Sequence, residues 1–203
     1  LAMRRDVARV AQGYLNQLAD TPSAPADVLL EAADGFARIA ELQAGRSRAS
    51  LGDPQGALEN LARADQIAAR LQQADPANSS TLDLRARVAM HQAAIAMNSR
   101  QELDSATGLL AQAARYIAAI PADTRMAKLL AIQHEMESAI LGNWKATYAE
   151  SEAHARKGIA IAESFPPDPA DAREAQYLLA RTYDALGEAV GIVAAQSIGE
   201  PGT

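Results

Sequence analysis

The 203-residue chain carries 19 Lys and Arg against 25 Asp and Glu, a net charge of −6, and 49% of it is hydrophobic. That is enough apolar material for one large domain or a short repeat array with a buried core, while the acidic balance disfavours nonspecific binding to nucleic acid or anionic membrane. With no Cys, disulfides, thiolate chemistry and cysteine-based zinc sites are excluded.

Ala and Leu dominate, and aromatic residues make up only 4% of the chain. That composition favours helices, because strands prefer the aromatic and β-branched types that are scarce here. No apolar run approaches the roughly 20 residues that span a bilayer, so no membrane insertion is expected, and no signal peptide is visible. The sequence opens on Leu1-Ala2 instead of an initiator Met. The expectation is a fragment whose natural start lies upstream.

In chain order, Arg4 to Ala19 places Val7, Val10, Ala11, Tyr14, Leu15 and Leu18 on one helical stripe, the spacing of a buried face. Thr21-Pro22-Ser23-Ala24-Pro25 ends it. A second helix is expected from Asp27, burying Val28, Leu29, Ala32, Phe36, Ile39 and Ala40 and stopping at Gly52. Asp53-Pro54 then reads as a helix start, with Asp53 as cap and Pro54 at the first helical position. This helix carries Ala57, Leu58, Leu61, Ala64, Ile67, Ala68 and Leu71, and closes at Asp75-Pro76. A fourth, from Ser80 to Asn98, buries Leu82, Val88, Ile95 and Met97.

The theme repeats. Glu102 to Ile120 places Ala106, Leu110, Ala113, Ile117 and Ile120 inward, ending at Pro121, and Thr124 to Leu141 carries Ala127, Leu130, Ala131, His134, Ala139 and Leu141. Leu141-Gly142-Asn143 echoes Leu51-Gly52-Asp53, and another helix follows to Phe165. After Pro166-Pro167-Asp168-Pro169, an eighth helix from Ala170 to Leu186 turns Ala175, Leu178, Leu179 and Tyr183 inward. Eight helices joined by short turns predict an all-α fold of antiparallel pairs stacked as a solenoid, with a plain helical bundle as the alternative.

Two resemblances sharpen this reading. The stretch Leu42 to Leu71, through Leu51-Gly52-Asp53 and Gly56-Ala57-Leu58, followed by Asp75-Pro76-Ala77-Asn78, resembles tetratricopeptide repeats. Such repeats lie C-terminal to bacterial serine/threonine kinase domains and follow winged-helix domains in some bacterial regulators. The resemblance implies a protein- or peptide-binding scaffold over residues 1–186, the interaction region of a larger signalling or regulatory protein. The segment Gly187 to Thr203 (GEAVGIVAAQSIGEPGT) resembles the stretch before the trigger loop of the RNA polymerase β′ subunit. That subunit's aspartate cluster, NADFDGD, is absent, so its reaction does not carry over. The tail reads as a possible chimera, two reading frames joined near Leu186, or else as a natural tail that mimics polymerase.

No catalytic motif stands out. The kinase Gly-rich loop, His-Arg-Asp and Asp-Phe-Gly signatures are missing, as are a nucleophile elbow, a phosphate loop and a dinucleotide fingerprint. His134-Glu135 begins a metalloprotease pattern, but Ser138 stands where its second histidine belongs. His91, His134 and His154 fall on different predicted helices and read as ordinary surface or inter-helix histidines, although convergence in space is open to them. The expectation is a non-enzyme with no cofactor and no metal. Trp144, beside the Gly142-Asn143 turn, reads first as a helix-junction packer and second as a partner anchor, and Tyr148 shares either role. Arg46, Arg48 and Arg100 offer a small basic rim near turns, against a reading as solvated charge. The alternative function is a non-catalytic piece of an enzyme, a kinase upstream or a polymerase through the tail. A ligand-sensing bundle with a closed apolar pocket is a third. The compartment is open, with cytoplasm favoured slightly over periplasm.

Overall fold

The computed structural model describes residues 2–21, 23–45, 50–100, 102–143, 145, 147–164, 180, 182–184, 186–187 and 190–191. Among them every element is helical: α1 (Ala2–Ala19), α2 (Ala26–Ala44), α3 (Pro54–Ala74), α4 (Ser79–Ile95), a π turn (Ala96–Arg100), α5 (Leu103–Ala118), α6 (Thr124–Asn143) and α7 (Tyr148–Glu163). None of the described helices is long and apolar enough to cross a membrane. The chain divides into two compact units, Leu1–Ile120 and Pro121–Thr203.

In the first unit each helix packs on the next, α1 on α2 through to α4 on α5, and α2 also touches α4. The α2–α3 core is built from Phe36, Ala40, Ala57, Leu61, Ala64, Ile67 and Ala68, all buried. Alanines at the contact positions let the two helices approach closely while Phe36, Leu61 and Ile67 fill the remaining volume. On α5 the expected Ala106, Leu110, Ala113 and Ile117 are all buried, as is Ile120 just beyond the helix. Central α4 buries Leu82, Val88 and Ile95 as expected, and also Leu84, Ala86, Ala89, Met90, Ala93 and Ala94. Because α4 is packed on α2, α3 and α5, no single stripe marks its buried side.

The second helix departs from expectation at its end. It stops at Ala44, and Gly45 is already extended at ψ 151°. Leu51 and Asp53 bond back to the end of this helix instead. The Leu51 and Asp53 N–H groups donate to the Leu42 and Gln43 carbonyls at 2.9 and 3.0 Å, supplying partners for acceptors a helix end leaves open. Gly52 makes this possible with φ +70°, a conformation costly to other L-residues. Asp53 caps α3 as expected, its Oδ1 accepting from the Gly56 N–H at 2.9 Å. Its Oδ2 takes Gln43 Nε2 at 3.1 Å, and Gln43 Oε1 accepts from the buried Asn60 at 2.7 Å. A Cβ on Gly56 would sit 2.3 Å from Asp53 Oδ2 and 2.5 Å from Gln43 Nε2. Only glycine fits inside this polar clasp.

Arginines tie the helices at their margins. Arg87 on α4 reaches Asp34 on α2 at 2.7 Å and its own-helix Asp83 at 3.0 Å. Burial pushes the Asp34 carboxyl up, but the charge and hydrogen bond of Arg87, aided by Arg38, outweigh it and hold it below the usual carboxylate value. Arg85 bonds Asp65 on α3 at 3.0 Å and lies 4.6 Å over the Tyr116 ring of α5.

In the second unit α6 and α7 pack antiparallel along a seam of small residues. Ser151 Oγ donates to the Ser138 carbonyl at 2.9 Å and meets Ser138 Oγ at 3.1 Å. It also lies 2.8 Å from where a Cβ of Gly142 would sit. Seven residues along α7, Gly158 lies against the Ala131 carbonyl, His134 Cβ and Thr182. Leu141-Gly142-Asn143 is therefore no structural echo of Leu51-Gly52-Asp53, since α6 runs through Gly142 to Asn143. The inward face of α6 is also corrected. Leu129, Met136, Ser138 and Ile140 are buried beside Ala131, whereas Ala127, Leu130, His134, Ala139 and Leu141 are half-buried.

Of the eighth expected helix, the described residues are helical, and it is Thr182 that is buried, with Tyr183 49% exposed. The Tyr183 hydroxyl donates to Glu163 at 2.7 Å, which holds the ring at the surface. Ala175, Leu178 and Leu179 lie outside the described residues, as does the tail from 187 apart from helical 187, 190 and 191.

Candidate functional site

Two of the five partner-binding candidates, Arg100 and Tyr148, fall among the described residues. Trp144, Arg46 and Arg48 lie outside the described residues. Arg100 is the last residue of the π turn, and Tyr148 is the half-buried first residue of α7. His91 on α4 is bonded to the Ala44 carbonyl at 3.2 Å, a contact within the first unit.

Helix α1 corrects the sequence reading and offers a surface in return. It turns Ala8 and Ala19 inward, with Ala11, Leu15 and Leu18 half-buried. Leu15 lies over Gly35 of α2, so close that a Cβ there would meet its methyls at 2.8–2.9 Å. Val7, Val10 and Tyr14, expected inside, are exposed, and Met3 joins them. Apolar residues occupy two faces of α1, and periodicity cannot tell which covers α2. The residue that decides is Gly35, which makes room for Leu15. The outward set, 3, 7, 10 and 14, has alternating four- and three-residue spacing, the pattern of one apolar stripe along a helix.

The second place is the α6–α7 seam. His134 and Glu137 stand one turn apart on α6, and His154 faces them from α7. His154 Nδ1 lies 2.7 Å from Glu137 Oε2, His134 Nδ1 lies 3.2 Å from the same oxygen, and the two Nδ1 atoms are 3.1 Å apart. The imidazole rings meet edge-on, with centroids 5.2 Å apart. The other carboxylate oxygen, Oε1, accepts from the buried Gln133 Nε2 at 2.9 Å, and Gln133 Oε1 is itself buried without a hydrogen-bond partner. Burial pushes the Glu137 carboxyl up. Hydrogen bonds from His134 and Gln133, with the charges of the two imidazoles, outweigh that and hold it below its ordinary value.

Among the described residues these three form the one group whose ligand atoms, all within 4.8 Å of one another, are placed to hold a metal ion. Glu135, the acid of the broken metalloprotease pattern, is buried and is not part of it. The sequence did hold a signal in the i, i+3 spacing of His134 and Glu137, which puts both on one helical face. The register of α7 against α6, which delivers His154, is set by Ser138, Ser151 and Gly158 and by no motif. Comparison with known proteins adds nothing to this geometry: no family model, no curated protein and no solved structure matches the chain.

Proposed function

We propose that the chain is a non-enzymatic helical-repeat scaffold that binds a protein or peptide, with its helix pairs stacked in the manner of a tetratricopeptide solenoid. In this reading it serves as the interaction region of a larger signalling or regulatory protein. The observation that carries the proposal is the exposed stripe Met3, Val7, Val10 and Tyr14 on α1. A helix with one apolar face packed and a second left in water is suited to an amphipathic helix laid along it. The sequential packing of α1 through α5 supports the repeat reading, because in a solenoid each unit contacts mainly its neighbours.

Selection of displayed amphipathic peptides against the full chain tests this. Binders are expected, and their affinity is expected to fall at least about tenfold, or about 1.4 kcal/mol, for Val7→Ser/Val10→Ser with an unchanged helical circular dichroism spectrum. Binders indifferent to that double change, or a failure to select any, would remove the stripe as the recognition surface.

A further inference from the structure

We propose that His134, Glu137 and His154 form a binding site for a divalent transition-metal ion of the zinc class, clasping α6 to α7. The site stands apart from the scaffold reading and rests on coordination geometry. Two imidazole nitrogens and one carboxylate oxygen form a triangle with edges of 2.7, 3.2 and 3.1 Å. The circle through such a triangle has a radius of about 1.7 Å, so a point about 2.0–2.1 Å from all three atoms exists about 1.1 Å above its plane, and those are zinc–nitrogen and zinc–oxygen bond lengths. A tetrahedral site needs edges of about 3.3–3.4 Å at those bond lengths. The two longer edges therefore have to open by about 0.1–0.3 Å and the 2.7 Å edge between His154 and Glu137 by about 0.6–0.7 Å, within reach of small side-chain rotations.

The donor set selects the ion. Imidazole nitrogen suits zinc, cobalt, nickel and copper, whereas calcium and magnesium take oxygen. The surroundings resemble a prepared site in two respects. Gln133 fixes the free carboxylate oxygen from the same helix, the kind of outer-shell hydrogen bond that orients a metal-binding carboxylate. The three side chains also keep 15%, 24% and 28% of their surface exposed, which leaves a path for an ion and room for water as a fourth ligand. The small seam residues serve the same end. A Cβ added at Gly158 would meet His134 Cβ at 3.4 Å, so α7 passes close to the turn of α6 that carries His134.

Without a cation, three acceptor-capable atoms crowd together and depend on imidazole N–H protons to hold them. An ion in their midst supplies that positive charge and bonds across the seam.

The test is titration of zinc into the chelator-treated full chain by calorimetry, with cobalt absorption as the geometric probe. One equivalent is expected to bind, with the intense visible bands of four-coordinate cobalt. His154→Gln and Glu137→Gln are each expected to weaken binding by at least tenfold, Gln133→Met by about 10–100-fold, and His91→Gln not at all. Circular dichroism confirms that each variant is folded. On the unaltered chain, X-ray absorption at the zinc edge is expected to show two imidazoles per ion, a readout independent of any variant. Six-coordinate cobalt, an oxygen-only zinc shell, or affinity unmoved by His154→Gln and Glu137→Gln would reduce the finding to an adventitious ion and overturn the proposal.

Discussion

The α2–α3 and α6–α7 pairs solve the same packing problem with different mixtures of apolar and polar contact. Between α2 and α3 the contact is mostly apolar, with alanines setting the separation, Phe36, Leu61 and Ile67 filling it, and a buried Asn60–Gln43 hydrogen bond crossing it. Between α6 and α7 an apolar patch of Ala131 and Ala162, with Ile132 and Ile161 against it, shares the contact with Ser138, Ser151, Gly142, Gly158 and the His134–Glu137–His154 group, Gln133 lying buried behind them. An apolar seam draws its stability from water exclusion and tolerates sliding. A polar seam fixes register through directional bonds and gathers groups able to do chemistry. The difference teaches where to look for function in an alanine-rich helical chain: at the seam that admits polar and titratable groups beside its apolar contact.

The largest expected effect probes the apolar side. Phe36 is 0% exposed, and Phe36→Ala is expected to cost about 3–5 kcal/mol, the usual range for an aromatic truncated in a packed core. Urea unfolding followed by far-ultraviolet circular dichroism reads it. A loss under about 1 kcal/mol, the scale of an ordinary surface change, would show that the α2–α3 contact is not what holds the first unit.

These two seams also explain what was legible. Where burial is one-sided and apolar, as on α3 and α5, period and position agree with the structure: Ala57, Leu61, Ala64, Ile67, Ala68, Ala106, Leu110, Ala113 and Ile117 are all buried as read. Caps such as Asp53 were equally plain, because a capping side chain acts on backbone only three residues away. Reading failed where the inside is polar or where two faces are apolar. Ser138, Gln133 and Asn60 are buried with hydrogen-bonding roles, and hydrophobic periodicity is blind to them. On α1 it took Gly35, on another helix, to decide which stripe was covered.

Arg87 supplies the next effect, since it stitches α2 to α4 beside the apolar core. Arg87→Ala is expected to cost about 1–2 kcal/mol, between an exposed ion pair and a buried one, its side chain being 40% exposed and that of Asp34 18%. Asp34 titrates lower in the folded chain than its ordinary value, so its contribution is present at neutral pH. It is lost as pH falls from about 4 through the folded value. Asp34→Asn is therefore expected to flatten the acid limb of the stability–pH curve. An acid limb identical to that of the unaltered chain would remove Asp34 as a cause.

A smaller loss, about 1 kcal/mol, is expected for Asp53→Ala, which removes the acceptor of the Gly56 N–H and a partner of Gln43. Amide hydrogen exchange should localise it, with Gly56 and Ala57 exchanging faster and the centre of α3 unchanged. Uniform acceleration along α3 would mean that the clasp around Gly56 supports the whole helix and not only its first turn.

The most discriminating effect is the smallest, a coupling of about 0.5–1 kcal/mol between two seam serines, because it asks what the polar seam contributes. Ser151→Ala removes both the bond to the Ser138 carbonyl and the contact with Ser138 Oγ, leaving a buried hydroxyl short of a partner at a cost of about 1–2 kcal/mol. Ser138→Ala/Ser151→Ala leaves no hydroxyl unmet at the same close approach, so it is expected to recover most of that loss. The two substitutions are in contact and should be non-additive by about 0.5–1 kcal/mol in a double-mutant cycle. Recovery in the double variant would mean that the serines set register more than they add stability, matching the contrast with α2–α3. A double variant as unstable as the sum of the singles would mean that both seams are held equally firmly, one by exclusion of water and the other by hydrogen bonds.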